Sequence, residues 1–179
     1  MSVFTVPFLA GAVLLVVAGA SKFLSPDSTV AAAGSGGLPA ATWSIRLLAG
    51  VEVVVGIDAL VFEGTVPAAL VALSYVGFAA FLTRGLVRGD LDSCGCFAND
   101  RGRPTPLHVV VDLAFAGCAV AAGLTSAPAS LRSAISVDQG WATTLLVLVA
   151  SGLGYVVLSG LPERGTVPER LRADTAGAV

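Results

Sequence analysis

The chain has 179 residues, of which 55% are hydrophobic and only 12% charged, and its mean hydropathy is +0.88. Such a composition excludes an ordinary water-soluble domain and identifies an integral membrane protein. The net charge of −2 forms no nucleic-acid patch, and no phosphate-binding glycine pattern is present. The basic residues follow the ends of apolar runs instead.

A bilayer core about 30 Å thick needs roughly 20 helical residues. Stretches approaching that length run from Val3 to Ser21, Trp43 to Phe62, Val66 to Leu82, Leu107 to Leu124, and Trp141 to Leu161. Strand alternation is absent, and backbone groups in lipid must be satisfied within the segment, so helices are expected. The predicted fold is an all-α membrane protein, a four-helix transmembrane bundle core plus a fifth transmembrane helix, forming one domain over residues 1–161.

The first span does not read as a signal peptide, because Met1-Ser2-Val3 offers no basic n-region, although Ala18-Gly19-Ala20 resembles a cleavage-site segment. The segment from Phe23 to Thr42 contains Pro26, Pro39 and Gly34-Ser35-Gly36-Gly37, which predicts a loop with one short helix from Ser25 to Ala33. Only Glu63-Gly64-Thr65 joins the second and third spans, so these form a tight antiparallel hairpin. The loop from Thr83 to Pro106 is the most polar internal stretch. A plainer connection follows from Thr125 to Gly140, and the tail 162–179 is expected to lack order.

Loop arginines set orientation. With the N-terminus outside, the cytoplasmic side holds Lys22, Arg46, Arg84, Arg88, Arg101, Arg103, Arg164, Arg170 and Arg172, leaving Arg132 outside. This predicts a multi-pass protein of the plasma membrane with the 83–106 loop on the cytoplasmic side.

That loop carries Cys94-Gly95-Cys96-Phe97. A Cys-x-Cys pair can close a small disulfide, the central glycine permitting backbone angles that a larger residue resists. The strain of so small a ring favours exchange over a permanent staple. Thiol–disulfide chemistry is therefore the leading reading, with metal binding, or two unrelated thiols, as the alternatives. His108, the single histidine, begins the fourth span and can favour a thiolate as imidazolium; its plainer role is to cap the helix or reach the headgroups. Asp112 lies four residues on, along the same face, placed to orient His108 or to pair with Lys22 or Arg46.

Glu52 lies about 13 Å into the second span. An acidic group at that depth is costly, and it is expected to face the bundle interior, paired or protonated. Asp58 is closer to the opposite surface and is a weaker candidate. Cys118 sits roughly 18 Å along the fourth span, where Ala114, Cys118 and Ala122 make a small-residue ridge at four-residue spacing. That spacing favours helix packing over a role as relay thiol.

The stretch Leu47-Leu48-Ala49-Gly50-Val51-Glu52-Val53-Val54-Val55-Gly56, followed by Arg84-Gly85 and Cys94-Gly95-Cys96-Phe97, resembles the MauE proteins of methylamine utilisation and their DoxX-like relatives. Lys22 after the first span fits as well, and the resemblance covers roughly residues 5 to 124. It implies a four-helix membrane core and a part in disulfide formation during maturation of the methylamine dehydrogenase small subunit, with a membrane-anchored thioredoxin-like partner. By resemblance, Cys94, Cys96, Glu52 and Lys22 are the matching positions. The chain departs from the family pattern at Ala98, where glycine is frequent, at Val111-Asp112, where Arg-Asn is common, and in its fifth span.

The implied client matures outside the cytoplasm, whereas the arginines place the cysteines inside. Either the cysteine loop faces the other side, or electrons cross the bilayer through Cys118, a bound quinone or a moving loop. The expected activity is that of a thiol–disulfide oxidoreductase, with Cys94 and Cys96 cycling, His108 and nearby cations tuning the thiolate, and Glu52, with Lys22 or Arg46, bracing the bundle or handling protons. The alternatives are a non-catalytic assembly factor that docks a client redox enzyme subunit, and a metal or small-solute carrier using Cys94, Cys96 and His108.

Overall fold

The computed structural model describes residues 3–35, 37, 40–89, 105–125, 130–131 and 140–160. Among these residues the chain is helical, without strands. The helices are α1 (Thr5–Leu24), α2 (Asp27–Ser35), α3 (Thr42–Val61), α4 (Thr65–Arg88), α5 (Pro106–Leu124) and α6 (Gly140–Gly160). Four of them, α1, α4, α5 and α6, are long and apolar enough to cross a membrane. At 20 residues α3 is as long as α1, but Arg46, Glu52 and Asp58 keep it outside that group. The tail 162–179 lies outside the described residues.

The helix ends follow local chemistry. Pro26 lacks an amide hydrogen and restricts Ser25, so α1 closes with the Ser25 N–H donated to Ser21 O at 2.9 Å. Asp27 then opens α2 at the positive end of its dipole. The hydroxyl of Ser44 accepts the Ala41 N–H at 3.1 Å, satisfying a donor that the first turn of α3 leaves without an intrahelical partner. Gly64 at φ +142° makes the turn into α4, and Gly89 at φ +70° ends that helix in the left-handed region. The third span therefore runs six residues past the expected Leu82. Arg84 and Arg88, which resemble loop residues in sequence, occupy a C-terminal turn, where cations suit the dipole and long stems can reach the interface.

Two close helix pairs organise the bundle, α1 with α3 and α4 with α5. Along α1–α3 the backbones approach closely at glycines. A Cβ on Gly19 would lie 2.6 Å from Ala49 O, and one on Gly56 would lie 2.7 Å from Ala12 O. These two contacts also show the pair to be antiparallel. On the other pair a Cβ on Gly123 would meet Ala68 Cβ at 3.0 Å. Helix α1 is central, touching α3, α4, α5 and α6, and Phe8, Leu9, Ala12 and Leu15 sit at the core with Val55, Val71, Tyr75 and Ala119. The expected hairpin partners α3 and α4 do touch, but far less extensively than either close pair.

The molecule is apolar on its outer surface as well as in its core. Leu47, Val51, Val54, Leu73, Leu113 and Leu153 are exposed, an amount of outward apolar surface that suits lipid rather than water. The buried stripe of α5 is Asp112, Ala116, Ala119 and Ala122, while Ala114 is exposed and Cys118 is half-buried. Of the expected ridge, Ala122 alone is on the packed face, and Ala114 and Cys118 lie off it. The small residues that meet neighbouring helices follow a mixed three- and four-residue spacing, as a 3.6-residue helix requires.

Candidate functional site: a buried ion pair within the bundle

The ends of α1 and α4 and the beginnings of α3 and α5 gather at one end of the bundle, as the antiparallel pairings dictate. There a Cβ on Gly37, between α2 and α3, would lie 3.2 Å from an Arg88 guanidinium nitrogen. At the other end the Ser130 hydroxyl donates to Glu63 Oε1 at 3.0 Å, joining the α3–α4 turn to the segment after α5.

Lys22 and Glu52 form the polar centre. Lys22 Nζ donates to Glu52 Oε1 at 2.7 Å and to Oε2 at 2.8 Å, with both side chains almost wholly buried. A Cβ on Gly19 would stand 3.0 Å from Glu52 Cβ, so the root of the glutamate side chain lies about a turn deeper than the Lys22 backbone. The lysine stem therefore turns back into the bundle instead of reaching out to water. The ammonium also lies 4.8 Å from the centre of the Phe78 ring, a cation–π contact. Two of its three hydrogens are spent on Glu52. Neutralised together, the pair is tolerated where either charge alone would be costly.

Asp112 is buried on the α5 side, and its Oδ2 has no hydrogen-bond partner. A small cavity of about 20 Å³, bordered by Lys22, Tyr75, Phe78 and Asp112, lies between the ion pair and this carboxylate and has room for about one water molecule. The expected Asp112–His108 contact does not form. His108 Nδ1 instead accepts the Thr105 N–H at 3.1 Å and lies 2.8 Å from the Thr105 hydroxyl. This local bond holds an N-terminal amide of α5, the competition a side chain in a first helical turn usually wins. The imidazole is buried at that helix end.

Arg46 is exposed, beside a shallow groove with Phe23, Trp43 and Leu47, and takes no part in the pair. Of the two cations that sequence offered Glu52, the structure selects Lys22. Cys94 and Cys96 lie outside the described residues, but both ends of their segment, Gly89 and Thr105, belong to the Lys22 end of the bundle.

Two residues escaped the sequence reading. Phe78 forms a wall of the ion-pair site. Tyr75 donates its hydroxyl to Gly11 O at 2.8 Å and stacks on Phe115 with ring centres 5.2 Å apart. Both belong to an apolar run in which nothing marks an aromatic as polar-facing; their three-residue spacing on one helical face is the single signal available.

A second, larger cavity of about 620 Å³ borders the pair on its other side, between α2, α3 and α4. It lies where α3 and α4, tied by their short turn, fail to pack along their length.

No curated protein and no solved structure matches the chain. The family model described as Methylamine utilisation protein MauE matches residues 1–126, a span that takes in α1 to α5 and the cysteine segment and leaves α6 outside. With its membrane-crossing helices, this multi-pass membrane protein belongs to the MauE family of methylamine utilisation.

Proposed function

We propose that this protein is a membrane thiol–disulfide exchange factor. Cys94 and Cys96 alternate between dithiol and disulfide, with a membrane-anchored thioredoxin-like protein as exchange partner. The client is a redox enzyme subunit, the methylamine dehydrogenase small subunit by family resemblance. One observation carries this reading: the buried polar residues Lys22, Glu52, Asp112 and His108 lie in the half of the bundle from which the cysteine segment departs. Cys94 is five residues from Gly89, which keeps it within about 17 Å of that anchor.

Exchange needs a thiolate and an outlet for protons. Arg84 and Arg88, on the last turns of α4, supply positive charge at the root of the segment and favour the thiolate. Oxidation of a dithiol releases two protons, and Glu52 and Asp112 are carboxylates close enough to that end to receive them. His108 acts as a positioning residue, fixing the first turn of α5 through Thr105.

In this reading α3 crosses the membrane as well. It runs antiparallel along α1, turns Leu47, Val51 and Val54 outward, and cancels the charge of Glu52 against Lys22. The positive-inside bias of the arginines favours an N-terminus outside and a cysteine segment on the cytoplasmic side.

The test is a Cys94→Ser, Cys96→Ser double variant in cells that depend on the protein for client maturation. Loss of disulfide formation in the client is expected; full maturation would replace exchange with a docking role. A Glu52→Gln variant with undiminished exchange would remove Glu52 from proton handling.

A further inference from the structure

The 620 Å³ cavity falls within the roughly 300–1,000 Å³ of small-molecule sites. Its walls are mainly apolar, with Leu48 and Val51 from α3 facing Leu73, Phe78 and Phe81 from α4, and α2 contributes Ala32 and Ala33. At its inner side are Lys22 and Glu52. Of the polar residues elsewhere on the wall, Ser44 and Ser74 donate their hydroxyls to Ala41 O and Leu70 O of their own chain segments, and Thr29 is contributed by α2. Lys22 is different: its third N–H has no acceptor among the described residues.

This chemistry selects the occupant. Because Glu52 already cancels the charge of Lys22, a phosphate or fatty-acid carboxylate would enter an apolar space without a net counter-charge. A neutral acceptor held in an apolar, aromatic-walled site meets no such penalty. We propose that the cavity binds the head of a membrane quinone, one carbonyl oxygen accepting from Lys22 and the ring lying among Phe78, Phe81 and the aliphatic wall.

The electron step rests on the exchange reading above. The Cys94–Cys96 dithiol gives up two electrons and two protons and becomes a disulfide; the quinone takes up two electrons and two protons and becomes the quinol. Asp112, across the small cavity from Lys22, is the group placed to pass protons toward the ion pair.

Gly77 makes the site testable without touching the pair. It lines the cavity, and a Cβ there would meet nothing within 4 Å, so Gly77→Leu fills the space while sparing the fold. Full-length protein in nanodiscs of defined phospholipid is titrated with ubiquinone-1 and with menadione, and leucine at position 77 is expected to weaken binding at least tenfold with an unchanged melting temperature. Leu48→Trp, at the outer wall, supplies an independent block. Absence of saturable binding, equal binding by both blocked variants, or a tightly held phospholipid that neither quinone displaces would overturn the site. Reduction of the bound quinone by the dithiol, abolished in Cys94→Ser, Cys96→Ser protein that still binds it, is expected. Binding without reduction in the unsubstituted protein would uphold the site and overturn the electron step, the exchange reading being judged by the client-maturation test above.

Discussion

The two sides of α3 are built on opposite plans. Against α1 the helix presents Ala49 and Gly56, and the backbones approach until no added carbon would fit. Toward α4 it presents Ile45, Leu48 and Val51 across a cavity of about 620 Å³. Lipid gives apolar side chains no hydrophobic reason to leave it, so helices in a bilayer associate through close packing and polar contacts. The α1–α3 side uses both, small residues and one buried ion pair. The α3–α4 side has the short Glu63-Gly64 turn and only sparse packing to hold it, and space is left beside the charged centre.

The strongest way to break this contrast is to remove half of the ion pair. Lys22→Met strands Glu52 among apolar groups and is expected to cost about 3–5 kcal/mol, read as a large drop in resistance to denaturant in micelles. Adding Glu52→Gln should recover most of that loss, and a double-mutant cycle without coupling would show that the pair does not hold α1 to α3. Next comes the glycine contact. Gly56→Leu must push Ala12 O away, at a cost of about 3 kcal/mol, seen as a lower melting temperature or loss of the monodisperse species. Tyr75→Phe removes the hydrogen bond to Gly11 O and should cost about 1 kcal/mol. Gly77→Leu, on the open side, is expected to stay within about 0.5 kcal/mol of the parent protein. Equal sensitivity at positions 56 and 77 would erase the contrast.

Much of this was legible in the sequence, for identifiable reasons. Apolar runs mark membrane helices strongly, so all five long helices fall close to their expected places, and the short α2 was announced by Pro26 and the glycine cluster after it. The end of α4 was misplaced because Arg84 and Arg88 look like loop residues until a helix dipole and Gly89 are set around them. A buried partner for Glu52 was expected from the cost of its depth, but the choice between Lys22 and Arg46 depends on the direction in which α1 turns Lys22, which is a matter of packing. Asp112 and His108 share a face, yet the nearby Thr105 amide takes the imidazole first. Cys118 misled because a four-residue repeat was read as the contact stripe, whereas α5 meets its neighbours along Asp112, Ala116, Ala119 and Ala122. Neither cavity could be foreseen, since each is made by helices distant in sequence.

The central claim is that the bundle serves a reactive cysteine pair at its Lys22 end. The most direct test is to trap thiols in intact cells with membrane-impermeant and permeant maleimides, before and after reduction, using single-cysteine variants to assign each band. The account predicts a reversible Cys94–Cys96 disulfide, labelled after reduction from the cytoplasmic side, whose occupancy shifts when a thioredoxin-like partner is deleted. Cysteines that stay reduced and indifferent to that deletion would contradict it.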